Sequence, residues 1–304
     1  MTTDKIELRL SDVDPPASEP KRTIYRDIVN LPDPVKLGLT IRYFNFDDVG
    51  LYMQITGSGT GYTFGTVNLG LLASGTDAYI NLDEFASRAK PTVAQLPNGE
   101  MEENITLTLK AYTDSGYTTL KWTFERVVTV HWINSADATW TVDVLNNFDD
   151  GTVQGWATVN ELNAAPTLQV STDYVLSVPY SLRMDLGGGF GVVQNRARIY
   201  KSFATPNKDK VYAIIDIRNS ASALAGYTWA NVVYVRKNSD VLIQIGKTVA
   251  GDNTHHYMSF NKWIRLVVPL PKNVTIEIQI AYEVCTQNPG TKSLWLDDFR
   301  IISK

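Results

Sequence analysis

The sequence predicts an all-β protein of two sandwich-like domains, and three observations carry that reading. The chain holds 15 Tyr, 10 Phe and 7 Trp among 304 residues, joined by abundant Thr and Val. These residue types fit a pleated, half-buried surface. Alternating apolar and polar residues recur between turn signals, as in Lys36-Leu-Gly-Leu-Thr-Ile-Arg-Tyr-Phe and Asn104-Ile-Thr-Leu-Thr-Leu-Lys-Ala-Tyr. That two-residue period marks strands with one buried face. Helical spacing is scarce: one short helix is expected around Leu82 to Lys90, ended by Pro91. The length allows each of two domains its own core.

Charge and hydropathy exclude several classes of partner. A net charge of −4 with scattered basic residues lacks the basic stripe that nucleic acid requires. No stretch reaches the ~18 apolar residues of a membrane-spanning helix. The first residues, Met1-Thr-Thr-Asp-Lys-Ile-Glu, lack the basic and apolar regions of a secretory signal. The single Cys285 sits in a strand-like run and reads as a small hydrophobe.

Along the chain, residues 1–34 read as an extended arm. Asp12-Val-Asp-Pro-Pro-Ala-Ser-Glu-Pro-Lys-Arg and Leu31-Pro-Asp-Pro are rich in proline and mixed charge. Ile6-Glu-Leu-Arg-Leu adds a small strand signal. Such an arm is expected to contact a neighbouring copy, because exposed sheet edges invite pairing. Residues 35–143 hold roughly seven strands separated by turn signals, which suggests an Ig-like or fibronectin-like sandwich. Leu120, Trp122 and Phe124 alternate with Lys121, Thr123 and Glu125 and should face the core. The boundary falls between Ala138 and Asn147. Since Thr139-Trp-Thr-Val-Asp-Val-Leu itself looks like strand, a stiff junction is expected.

Residues 144–304 resemble the jelly-roll carbohydrate-binding modules appended to xylanases. Four stretches carry the resemblance, in order: Asn147-Phe-Asp-Asp-Gly-Thr-Val-Gln-Gly-Trp156, Val178-Pro-Tyr-Ser-Leu-Arg-Met-Asp185, Lys262-Trp-Ile-Arg-Leu-Val-Val-Pro-Leu and Leu294-Trp-Leu-Asp-Asp-Phe-Arg-Ile-Ile302. Pro179 and Tyr180 depart from the family pattern. The resemblance implies a structural Ca²⁺ where the opening acids meet the closing pair, with Asp149, Asp150, Asp297 and Asp298 as candidate ligands. Calcium does seek six to eight oxygens, although Asp149-Asp150-Gly151 also reads as a plain turn.

Sugar binding needs exposed aromatic faces with polar partners beside them. Trp156, Trp263 and Trp295 lie in the strands that define the fold and read as core. The remaining carbohydrate-binding candidates are Tyr227, Trp229, Tyr234 and Tyr257, with Tyr227 and Trp229 expected to form a platform. Enzyme signals are weak. His255-His256 follows a turn, and adjacent strand residues point to opposite faces, which disfavours a shared zinc. His131 reads as a sheet residue with a local partner. Gly187-Gly-Gly-Phe-Gly is followed by no helix to bind phosphate, and no nucleophile-elbow motif occurs.

Two function classes follow, both non-enzymatic. The leading one is a structural or decorating subunit of an extracellular or virion assembly that self-associates through its arm. The alternative is a glycan-binding protein that uses the C-terminal jelly roll.

Overall fold

The computed structural model describes residues 7–10, 22–31, 33–44, 48–75, 77–162, 164–187, 194–220, 229–245, 263–285 and 292–304. The chain divides into two compact units, Thr3–Asn134 and Ser135–Lys304. Both are β-sandwiches.

In the first unit one sheet holds, in order, β1 (Glu7–Leu10), β3 (Val35–Phe44), β7 (Asp77–Arg88) and β5 (Tyr62–Phe64). The other holds β2 (Arg22–Asp27), β9 (Leu120–Ile133), β8 (Glu100–Tyr112), β4 (Leu51–Ser58) and β6 (Val67–Leu72). Their inner faces meet in one cluster. Val35, Leu37, Phe85 and Ala86 from the first sheet pack with Met53, Ile55, Leu107, Leu109, Val128, Val130 and Trp132 from the second. Placing β3 and β7 opposite β4, β8 and β9 is the strand distribution of an Ig-like sandwich. Trp122 and Phe124 pack against this core as their alternation predicts, while Leu120, at the strand's start, is exposed. His131 is a buried sheet residue whose Nδ1 lies 2.9 Å from Glu102 Oε1.

Three expectations need correction here. The segment read as a helix around Leu82 to Lys90 is mostly strand β7, which pairs with β3 and β5. Burying Phe85 and Ala86 between paired strands outweighs the weak local helical preference. The arm is shorter than residues 1–34. Within it β1 pairs in parallel with β3 and β2 in parallel with β9, and Ile24, Arg26, Asp27 and Ile28 are buried. The edge pairing expected with a neighbouring copy is thus made within the chain; residues 11–21 lie outside the described set. The junction also moves forward, from 143/144 to Asn134/Ser135. Residues 135–143 belong to the second unit because β10 (Thr141–Asn146) pairs with the final strand and Trp140 packs edge-on against Tyr212.

A polar knot links the two sheets of the first sandwich. Glu103 Oε2 accepts hydrogen bonds from the Tyr62 hydroxyl (2.7 Å), from Trp132 Nε1 (2.9 Å) and from Arg88. The Arg88 guanidinium also lies 5.1 Å from the Trp132 ring centre. Burial, reinforced by the Glu103 carboxylate, holds the Tyr62 hydroxyl well above its ordinary pKa. Because Arg88 is nearly inaccessible, losing its counter-ion leaves an uncompensated buried charge. Glu103→Ala should therefore lower unfolding free energy by about 3 kcal/mol in urea titrations, whereas a loss near zero would show that water rescues Arg88.

The second unit is a jelly-roll-like sandwich in which every strand pairing among the described residues is antiparallel. One sheet runs β12 (Ala165–Ser171), β13 (Ser181–Gly187), β20 (Lys292–Ser303), β15 (Val211–Asn219), β18 (Ile264–Pro269), with β10 also on β20. The other runs β11 (Ala157–Leu162), β14 (Gln194–Ala204), β19 (Thr275–Cys285), β16 (Trp229–Lys237), β17 (Asp240–Ile245). Between them Ile199, Val233, Val235, Ile276, Ile278, Ile280 and Tyr282 pack against Leu182, Met184, Ile215, Ile217, Leu294, Leu296 and Phe299. The opening motif enters this core. Phe148 is fully buried, and Trp156 stands edge-on to Phe203 and Phe299.

Candidate functional site

The β11-β14-β19-β16-β17 sheet positions a site through its two-residue period. With Ile276, Ile278, Ile280 and Tyr282 turned into the core, Glu277, Gln279 and Ala281 of β19 must face outward. The same alternation turns Arg196, Arg198 and Tyr200 outward on β14, and Tyr234 and Arg236 outward on β16. Registers then align them in rows across the sheet. Tyr200 pairs with Gln279, and Gln279 pairs with Tyr234. Two tyrosines thus flank one glutamine, two strand spacings or about 10 Å apart. In the next row Arg198 stands opposite Ala281. Tyr234 packs on Ala281 in a small apolar cluster separate from the main core.

Polar side chains beside these rings are tied into one network. Glu161 on β11 forms ion pairs with Arg196, whose Nε lies at 3.1 Å, and with Arg198 at 3.0 Å. Arg198 donates to Gln279 Oε1 at 2.8 Å, and Gln279 Nε2 donates to Glu277. The Arg236 guanidinium lies 5.3 Å from the Tyr234 ring centre, within cation–π range. Gln279 is only 3% exposed although it faces outward. Its amide is therefore fixed, with acceptor and donor each committed, and costs little further ordering on contact with a ligand.

The residues expected from sequence fare unevenly. Tyr234 lies in this site. Trp229 opens β16 five positions earlier, so its backbone register has the opposite parity. Tyr227 and Tyr257 lie outside the described residues, as do His255 and His256. Tyr200, Gln279, Arg198 and Glu161 were not singled out. The alternation Arg196-Ala-Arg-Ile-Tyr200 was visible, but which strands lie beside it was not.

The four acids considered for calcium do not fit one ion. Asp297 is fully buried, and its oxygens accept from Leu176 N (2.7 Å), Ser177 N (2.8 Å), Ser177 Oγ (2.9 Å) and Asp298 N (2.8 Å). Asp298 faces Arg300 at 2.7 Å and Arg265 at 3.5 Å. Asp150 is exposed and closes a turn by accepting from Thr152, and Asp149 is exposed beside Asn147. Among the described residues no group of three or more His, Cys, Asp or Glu could hold a metal ion. Near the opening motif a cation is supplied by the chain itself. Lys201 Nζ donates to Asn146 Oδ1 (3.0 Å) and to the Gln154 carbonyl, and burial lowers its pKa.

Asp216 anchors the ion pairs on the other sheet, with Arg265 at 2.6 Å. Burial dominates over that partner and raises its carboxyl to about 6. A folded-state pKa above the unfolded value favours folding while the group is protonated. That contribution is full below pH ~4 and is lost as pH rises to ~6. Unfolding free energy should accordingly fall by up to about 3 kcal/mol across this window. Asp216→Asn should flatten that slope in urea titrations at stepped pH; an unchanged slope would assign it to other groups.

No known family profile matches the chain, and no curated protein matches it by sequence. Solved structures give remote likenesses. A structure described as carbohydrate-binding modules of the β-sandwich superfamily is 15% identical, covering 90% of this chain and 98% of that one at a TM-score of 0.38. The tandem CBM22 domains of Paenibacillus barcinonensis Xyn10C are 9% identical, covering 91% and 80% at 0.34. The enzymatically active domain of bacteriophage CBA120 tailspike protein 4 is 10% identical, covering 51% of this chain and 20% of that one at 0.34. Likeness this remote carries no argument about this chain's ligand.

Proposed function

We propose that the chain is a non-catalytic glycan-binding protein whose second unit holds a sugar chain on the outward face of the β11-β14-β19-β16-β17 sheet. The observation that carries this is the Tyr200–Gln279–Tyr234 row, with Arg198 and Glu161 beside it. Pyranose rings offer apolar C–H faces that pack on phenol rings, and their hydroxyls need fixed donors and acceptors. The tyrosines supply the ring faces, and the partly exposed Arg198 and Glu161 beside them supply donors and acceptors, all on rigid strands. Both side-chain carboxylates described in this network are engaged, Glu161 by two arginines and Glu277 by Gln279. That supports holding a ligand over attacking one, since a glycosidase needs two carboxylates placed across the scissile bond. The assembly reading expected the arm to contact neighbouring subunits, and the strands described within it, β1 and β2, pair with the chain's own sheets.

The test is retention on a panel of insoluble polysaccharides and affinity gels. The unaltered chain should be retained by at least one polysaccharide. Tyr200→Ala with Tyr234→Ala should weaken that binding at least tenfold, about 1.4 kcal/mol or more. The melting temperature should change little, because both rings lie outside the main core. Failure of the unaltered chain to bind any polysaccharide, or undiminished binding by the double variant, would overturn the proposal.

A further inference from the structure

A second aromatic site lies on the opposite sheet of the same unit, at the connection between β12 and β13. Tyr174 sits there in the left-handed backbone region, at φ 52°. A bulky residue adopts that conformation only where its surroundings impose it, and such strain gathers at ligand sites. The following residues are held by Asp297, a fully buried carboxylate that accepts from Leu176 N, Ser177 N and Ser177 Oγ. The loop is thus clamped to the sheet from about 120 residues away in sequence.

The clamp presents the Tyr174 ring in a defined pose. The Arg218 guanidinium lies 3.9 Å from its ring centre, and the Trp295 ring meets it at 74° with centres 4.9 Å apart. Tyr174 nevertheless remains 52% exposed. Trp295 lies beneath, only 3% exposed, and its indole N–H has no hydrogen-bond partner. In register, Trp295 stands between Arg183 on β13 and Arg218 on β15. Arg183 reaches Asp173 Oδ2 at 2.9 Å, leaving that carboxylate largely exposed beside Tyr174.

We propose that Tyr174, with Asp173, Arg183 and Arg218, forms a second carbohydrate subsite that takes a single pyranose on the outer face of the Tyr174 ring. A rigid aromatic face, an exposed carboxylate acceptor and arginine donors are the groups that a sugar ring's C–H face and vicinal hydroxyls require. A protein partner fits less well. Tyr174, Leu176 and Val178 are the exposed apolar side chains of this loop, far short of the roughly 800 Å² per partner of a stable protein interface. This subsite does not depend on the tyrosine row of the other sheet. If both operate, one chain could engage two glycan strands, and linked ligands would gain avidity.

The test is a titration of the full chain with methyl glycosides of glucose, galactose, mannose and xylose. Amide signals of Leu176 and Ser177 and the Trp295 indole N–H are followed by NMR. Saturable shifts at these three positions are expected with at least one glycoside, at affinities on the order of millimolar for so small a ligand. They should persist in the Tyr200→Ala, Tyr234→Ala double variant and in Tyr174→Phe, which keeps the aromatic face. They should vanish in Tyr174→Ala, with the remaining spectrum retained as the measure of folding. Shifts confined to the Tyr200–Tyr234 face would overturn this subsite while leaving the first site standing. No response to any glycoside, or shifts that survive Tyr174→Ala, would also overturn it.

Discussion

The second unit depends on the two-residue period of β19. This strand is hydrogen-bonded on both sides, to β14 along eleven consecutive residue pairs and to β16 along eight, with no bulge in either ladder. A shift of one residue would send Ile276, Ile278, Ile280 and Tyr282 to the surface and bury Glu277 and Gln279 in the core. Each aliphatic side chain so exposed would forfeit about 1.5–3 kcal/mol. The register is therefore locked by apolar burial on one side. The arrangement of Tyr200, Gln279 and Tyr234 on the other side follows as a consequence.

The two sheets treat their outer faces differently. On the β19 sheet, polar groups are bound to one another and leave tyrosine rings between them. On the β20 sheet, charged groups fold connections down. Asp297 clamps the loop after β12, while Arg265 holds Asp216 and reaches towards Asp298. Buried ions are costly unless every lone pair and proton is satisfied, and Asp297 meets that condition with four donors. Its role is to position a loop. That is how a closing Asp-Asp pair resembling a calcium motif serves this chain without converging on one ion.

The fold class was legible because it depends on short-range pattern. Alternation placed β3 and β8 within a few residues of their observed bounds, and the four jelly-roll stretches lie in the second unit as their order implied. What failed was information held by partners. Leu82 to Lys90 carries weak helical preference, yet β3 and β5 claim most of it as β7. Arg22–Asp27 follows a proline-rich stretch and was read as part of an arm, yet β9 offers it an edge. Of the aromatics proposed for sugar, Tyr234 belongs to the site described here. Tyr174 was passed over because nothing near it in sequence announces that Asp297 will hold its loop.

By itself the sequence determined the all-β class, the division into two sandwiches, the burial of Trp156, and the outward turn of alternate residues on each strand. These follow from apolar periodicity and short motifs, which each segment carries locally. The tertiary structure alone decided which outward residues become neighbours. Tyr200 and Tyr234 are 34 residues apart and meet only across a strand that arrives some forty residues later. Strand order and register are set by the summed burial of two sheets, a global balance that no local window of sequence contains.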